Sequence, residues 1–258
     1  MTDSRKKTGL LFPFFIILKR DFINLATNVS LILSNTIFPL LLIFVLGYLG
    51  GGLYGGSDVT AYDYYGVTIL IYSALNVSMT AANSFMDQNV KRSNLRILYA
   101  PIPKSFIYLS KTVATFLFTG LCSIALVALL QLVFNIRLGG TSAVYTAVVL
   151  LCFDLFSSAL GVLFCCLFKG EELTNKILSI INSVLAILGG LFFQLDGLGR
   201  TAEVLSFFSP VKWVVETVLR IVYDGDFSLF LPTLLSFVIA SLLLLWGCKR
   251  TFKTEDYI

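Results

Sequence analysis

The sequence predicts an all-α integral membrane protein with six transmembrane helices, and three observations support this fold class. Hydrophobic residues make up 57% of the 258 residues, whereas charged residues make up only 13%. Soluble domains contain about a quarter charged residues, so this composition is too apolar to cover a soluble surface. Several apolar segments reach the roughly 20 residues that a helix needs to cross a bilayer. Lys and Arg are also distributed unequally among the loops.

The predicted spans follow from the six longest apolar segments. They cover residues about 29–49, 64–86, 112–134, 143–168, 174–195 and 228–248. Segments 10–27 and 203–222 are also apolar, but charged residues interrupt them, so we do not expect them to cross as simple spans. The chain therefore divides into an N-terminal part, residues 1–28, and a six-span transmembrane domain, residues 29–258.

The distribution of basic residues predicts the orientation. If the N-terminus is cytoplasmic, six spans return the C-terminus to the same side. Fifteen of the 19 Lys and Arg residues then lie on the cytoplasmic side and four lie outside. Cytoplasmic loops carry an excess of Lys and Arg, so we expect both termini in the cytoplasm.

The sequence lacks the residues that most catalytic and metal sites need. It contains no histidine, which excludes histidine-based zinc sites, catalytic dyads and proton relays. The five cysteines lie within apolar runs, which favours packing roles over disulfides or zinc binding. No Walker A pattern occurs, so we do not expect the chain to hydrolyse ATP by that route. We predict no catalytic residue, no metal, no cofactor in this chain and no nucleic-acid partner.

Segment 10–27 is predicted to form an interfacial helix in the headgroup plane. Pro13 suits a first helical turn. Apolar residues recur at three- and four-residue spacing, as an amphipathic helix requires. They are Phe14, Ile17, Leu18, Phe22 and Leu25. Lys19, Arg20 and Asp21 would each be costly in hydrocarbon, which also argues against a cleaved signal peptide. The alternative is a simple extension of the first span.

Residues 92–99 are predicted to form a short helix beneath the membrane, followed by a proline-induced turn. Its apolar side chains would share one face, and two arginines would stack one turn apart. Proline removes a backbone donor and disfavours helix geometry in the residue before it. The residues concerned are Arg92, Leu95, Arg96, Leu98, Tyr99, Pro101, Pro103 and Lys104. Such a compact helix favours docking to a soluble partner, although an ordinary basic loop is the alternative.

Two further features fall within the apolar regions. In segment 203–222, Pro210 interrupts the run, and Glu216 and Arg220 can pair one turn apart. We expect two short half-helices that enter from outside, since irregular backbone at membrane depth needs surrounding protein or water.

Asp154 is the one carboxylate deep within a predicted span. It is a candidate for the translocation path, and a structural hydrogen bond is the alternative.

Three motifs in this order resemble the ABC-2 type permease family, the membrane subunits of type V ABC exporters. The stretch from residue 18 to 49 resembles the family's opening, with Pro39 in its first span. "NLRILYAPIPKSFIYLSKTV" resembles the loop after the second span, which ends in a lysine, here Lys111. "SPVKWVVETVLR" resembles the strongest signature, with Ser209 in place of its asparagine.

The resemblance implies an assembly and a role for each segment. Two permease subunits, as a homodimer or a paralogous heterodimer, would sit on two cytosolic ABC ATPase subunits that hold ATP and Mg. Residues 92–99 would be the coupling helix and 10–27 the connecting helix. The connecting helix would act through Phe14, Lys19, Arg20 and Phe22, and the external re-entrant gate through Pro210, Trp213, Glu216 and Arg220. The location would be the plasma (inner) membrane of a bacterium, in contact with its lipids.

The substrate is expected to be an amphiphile, such as a peptide, a drug or a lipid-like molecule, which is moved out of the cytoplasm. A polysaccharide or lipid-linked glycan is the alternative within the family. An ion-coupled secondary transporter is the alternative of a different class, but it would be expected to show repeat symmetry and broken central helices. A polytopic membrane enzyme would need a catalytic set that we do not find in the sequence.

Overall fold

A computed structural model describes residues 2–51, 60–86, 103–133, 136, 138, 140–192 and 204–252. All regular structure in these ranges is helical. The helices are α1 (Thr2–Thr27), α2 (Val29–Asn35), α3 (Ile37–Gly50), α4 (Ala61–Met86), α5 (Ser105–Leu132), α6 (Ala143–Phe168), α7 (Glu171–Leu188), α8 (Pro210–Leu219) and α9 (Phe230–Thr251). A 3₁₀ turn, Gly140–Ser142, precedes α6, and a π-helical turn, Arg220–Asp224, follows α8.

Five helical segments among the described residues are long and apolar enough to cross a membrane. They are Val29–Gly50, which combines α2 and α3, and then α4, α5, α6 and α9. The all-helical membrane architecture is therefore confirmed, and these five segments correspond to five predicted spans. The remaining one, 174–195, corresponds to α7, whose first turns contain Glu171, Glu172 and Lys176. The count of six spans therefore stays a prediction.

Consecutive long helices run in opposite directions, so that the bundle has two distinct ends. At one end, the Cys165 thiol lies 3.7 Å from the Ala82 carbonyl oxygen, and the rings of Phe85 and Phe252 meet edge to face. At this end α4 and α6 finish beside the start of α5. We call it the basic end. At the opposite end, the Tyr64 hydroxyl lies 3.4 Å from the Gly190 carbonyl oxygen.

Helix α4 occupies the centre of the bundle. Within its most apolar window, 72% of the residues are buried, compared with 17% in α2–α3 and in α9. It packs against α3, α5, α6 and α7. Since α2–α3 and α9 leave most of their apolar surface uncovered, they form the outside of the bundle.

Helices α4 and α6 approach each other closely at Gly161. Gly161 lies so near the Ser78 backbone that a Cβ atom there would collide with the Ser78 carbonyl group. Small residues allow such close approach of helices in membranes, where van der Waals packing replaces the hydrophobic effect. Gly247 on α9 differs, because a Cβ there would meet only the flexible end of Leu163.

Gly161→Ala should destabilise the bundle by about 1–3 kcal/mol, since the added methyl group must force two backbones apart. Denaturation of the purified protein in detergent measures this effect. Gly247→Ala is the matched control, because the Leu163 side chain can move aside. Equal stability of the two variants would show that the α4–α6 contact is looser than described.

Candidate functional site

A cavity of about 370 Å³ lies between α2–α3 and α4. Its lining residues on the first span lie on both sides of Thr36, where α2 changes to α3, and they include the buried Pro39 in the first turn of α3. Half of its lining residues are polar but uncharged. These are Ser30, Ser34, Asn35, Ser73, Asn76, Thr80 and Asn83. A cavity with this lining at membrane depth can hold water or a polar group of a ligand.

Paired asparagines hold α7 against α4 behind this cavity. The Asn175 amide donates to the Asn83 side-chain oxygen at 2.6 Å, and the Asn182 amide donates to that of Asn76 at 3.3 Å. Asn182 also donates to the Ser78 hydroxyl at 3.0 Å. The asparagines are seven residues apart on each helix, so both pairs lie on the facing sides. This shared spacing was the available sequence signal, and our sequence analysis missed it.

A buried charge cluster at the basic end joins three helices. Asp21 of α1 is fully buried, and its Oδ1 lies 2.8 Å from Arg20 Nη2 and 3.2 Å from Lys111 Nζ. The Ser110 hydroxyl donates to Asp21 Oδ2 at 3.0 Å. Lys111 Nζ also donates to the Ser84 carbonyl oxygen at 3.2 Å. We call these five residues the Asp21 junction.

The Asp21 junction lies at the base of the predicted docking segment. Ser84 is in the last turn of α4, before residues 87–102, and Lys111 is in the second turn of α5, after them. Both flanking helices are thus attached to α1 at one point. The sequence analysis found Lys111 only as a family motif and did not identify Asp21 as its partner.

The predicted connecting-helix residues lie on α1. Phe14 meets Phe106 edge to face at 5.3 Å, and Phe22 packs against the small cluster around Ala114 on α5. Arg20 belongs to the Asp21 junction, whereas Lys19 is exposed.

Two of the predicted docking residues lie within the described ranges. Pro103 and Lys104 are exposed at the start of α5. The other predicted docking residues lie outside the described ranges, and they are Arg92, Leu95, Arg96, Leu98, Tyr99 and Pro101.

The predicted gate residues belong to α8 and to the first residue of the π-helical turn that follows it, at the opposite end. Pro210 starts the helix, and the Ser209 hydroxyl accepts from the Val211 N–H at 3.3 Å while it donates to the Leu185 carbonyl oxygen. Arg220 pairs with Glu216 at 2.6 Å, and the Trp213 side chain is exposed.

The turn after α8 is held by a short polar network. Arg220 Nη1 lies 3.5 Å from the Asp226 carboxylate. The Ser228 N–H and hydroxyl donate to the same carboxylate and, together with Arg220, lower the pKa of Asp226. The network therefore fixes the turn between α8 and α9.

Asp154 is fully buried on α6, and the Ser123 hydroxyl of α5 donates to its Oδ2 at 3.1 Å. Its Oδ1 has no hydrogen-bond partner among the described residues. Asp154 does not line the cavity between α2–α3 and α4. Its place in a translocation path stays a prediction.

The polar cavity in a helical bundle, next to a charged junction, is consistent with a transport protein. Comparison with protein families gives a match to the ABC-2 type transporter model over residues 13–223. This chain belongs to the ABC-2 type transporter family. A comparison with curated proteins found no significant match. Members of the family are membrane components of ABC transporters, and they normally work with ABC ATPase partners. The ABC-2 assignment and the apolar helices identify a multi-pass membrane protein.

Asp21→Asn or Lys111→Met should each destabilise this ABC-2 protein by about 3–5 kcal/mol, because either change leaves a buried charge without its partner. Unfolding in detergent measures the loss. Lys176→Met is the control, since its exposed pair with Glu172 should contribute less than about 1 kcal/mol. If both single variants matched this control, the Asp21 junction would not be a buried ion pair. Asp21→Leu combined with Lys111→Met should recover most of the lost stability.

Proposed function

We propose that this ABC-2 protein is the permease subunit of an ATP-driven exporter that moves an amphiphilic substrate out of the cytoplasm. The observation that carries the proposal is the Asp21 junction, which attaches α1 to the helices on both sides of residues 87–102. Because separating buried charges is unfavourable, a force on that segment would move α1, α4 and α5 together. Helix α4 forms one wall of the cavity, so the force would reach the cavity directly.

The ATPase subunits are separate chains that hold ATP and Mg. In this proposal, residues 92–99 are the coupling helix that docks on them, and α1 is the connecting helix. ATP would bind more tightly to one of two arrangements of the complex, and this difference in affinity would drive the change between them.

The proposed topology has six spans, with α7 as the fifth. Helix α7 supports this topology because it follows α4 from the Asn175–Asn83 pair near the basic end to Gly190 beside Tyr64 at the opposite end. The basic end would face the cytoplasm, with both termini, and the membrane would be a bacterial plasma (inner) membrane. Helix α8, which packs Val211, Val214 and Val218 into the bundle, would belong to the external re-entrant gate.

A second permease subunit would complete the translocation path. Helix α7 exposes a row of polar residues at helical spacing, Glu172, Lys176, Ser179 and Ser183. Polar side chains are unfavourable against lipid, so this row supports a protein or water neighbour rather than acyl chains. The second subunit would be an identical copy or a paralogue. A glycan exporter of the same family would have the same architecture.

Ion-coupled secondary transport is a second candidate, and one observation favours it. The buried carboxylate of Asp154 has an oxygen without a partner among the described residues, and it could bind a proton or a cation. Transport by the purified permease, with an ion gradient and no ATPase, would support this candidate and contradict the ATP-driven one.

Arg96→Glu combined with Leu98→Asp should abolish association with the ATPase, because the change reverses a charge and places a carboxylate in the predicted apolar docking face. Co-purification of the ATPase with the permease, and ATP-dependent transport in proteoliposomes, measure the effect. Arg250→Glu, at the same end of the bundle, is the charge-matched control and should retain the ATPase. Retention of the ATPase by the double variant, with an intact fold, would refute the coupling-helix assignment.

A further inference from the structure

Several hydroxyl groups of the cavity have no hydrogen-bond partner among the described residues. They belong to Ser30, Ser34 and Ser73. Serines elsewhere in the bundle commonly donate to a carbonyl one turn earlier in their own helix, as Ser183 does to Ser179 at 2.8 Å. The Asn83 oxygen accepts from Asn175, and its amide hydrogens remain available to the cavity. The cavity therefore offers both donors and acceptors to a bound molecule.

Among the described residues, charged side chains do not line this cavity. An ionic head group would lose its hydration without gaining an opposite charge, which is strongly unfavourable at membrane depth. An uncharged hydroxyl or amide head group would instead exchange its hydrogen bonds with water for hydrogen bonds with the serines and Asn83. The lining thus selects for neutral polar molecules.

Most polar residues of the cavity lie nearer the basic end than most of its apolar residues. Asn35 donates to the Thr80 hydroxyl at 3.2 Å, which fixes the antiparallel register of α2–α3 and α4. In this register, Ser30, Ser34 and Asn83 lie toward the basic end. The apolar lining residues Phe38, Leu42 and Ile69 lie further toward the opposite end. A ligand that matches this gradient has a polar head and an apolar tail.

We propose that the cavity binds an uncharged amphiphile with a hydroxyl-rich head group, such as a single sugar on an alkyl chain. The head lies toward the basic end between Ser30, Ser34 and Asn83, and the tail contacts Phe38 and Leu42. The identification of this molecule as exported cargo rests on the proposed function, whereas the binding itself does not.

Photolabelling of the full chain in phosphatidylcholine nanodiscs tests the proposal. The probe is an alkyl glucoside with a diazirine in its tail, and alkyltrimethylammonium and alkyl sulfate probes with the same tail serve for comparison. The glucoside should label peptides that contain residues 38–42 and 69–72, and unlabelled octyl glucoside should compete. Ser34→Ala combined with Asn83→Leu should reduce labelling about tenfold, since two hydrogen bonds are lost. Ser183→Val, outside the cavity, should leave labelling unchanged.

Equal labelling by either charged probe, or glucoside labelling that is unchanged in the double variant, overturns the proposal. Absence of competition overturns it as well. If the double variant does not fold, Ser34→Ala replaces it, because Ser34 is exposed and its hydroxyl supports no described contact. ATP-dependent transport by the complex with its ATPase is measured separately. Its failure with intact labelling would refute the exporter and leave the cavity assignment unaffected.

Discussion

The absence of water from the hydrocarbon core is the constraint on which the rest of this structure depends. Each polar group at membrane depth must find a partner within the protein or face a water-filled space. The backbone meets this constraint by forming helices. Many hydroxyl groups meet it within their own helix, as Thr112 does by donating to the Tyr108 carbonyl oxygen at 2.9 Å. The polar groups that meet it in other ways determine both the packing and the candidate site.

Groups that bond across helices determine the packing. The Asn83–Asn175 and Asn76–Asn182 pairs fix the rotation of α7 about its axis, and the Asp21 junction fixes α1 against α4 and α5. Apolar contacts alone tolerate sliding, whereas an amide pair or ion pair in hydrocarbon is strongly unfavourable when it breaks. Among the described residues, the cavity hydroxyl groups of Ser30, Ser34 and Ser73 have no such partner. Asn83 serves both purposes, because its oxygen accepts from Asn175 while its side chain also lines the cavity.

The apolar runs were sufficient to predict most of the helices, because a span must be long and uncharged. The limits of the spans were harder to predict. The third span was expected to begin at about residue 112, just inside Lys111, but α5 begins at Ser105 and buries Lys111. The missing information was the partner, since Asp21 is 90 residues away in the chain and neutralises that charge in the fold. The cavity was not predicted for the same reason, because it depends on which faces of α2 and α4 meet.

The same contacts indicate which part of the bundle can move. Helix α4 cannot easily shift against α6, because Gly161 contacts the Ser78 backbone, nor against α7, because of the asparagine pairs. It is attached to α5 through Lys111. Helices α2–α3 are held more weakly, since they are mostly uncovered and their cross-helix side-chain hydrogen bonds among the described residues join Asn35 to Thr80. Opening of the cavity therefore requires the least disruption if α2–α3 moves away from a unit formed by α4, α6 and α7. In that movement, the Asn35–Thr80 contact is the first polar interaction to break, and its groups become available to a ligand at that moment.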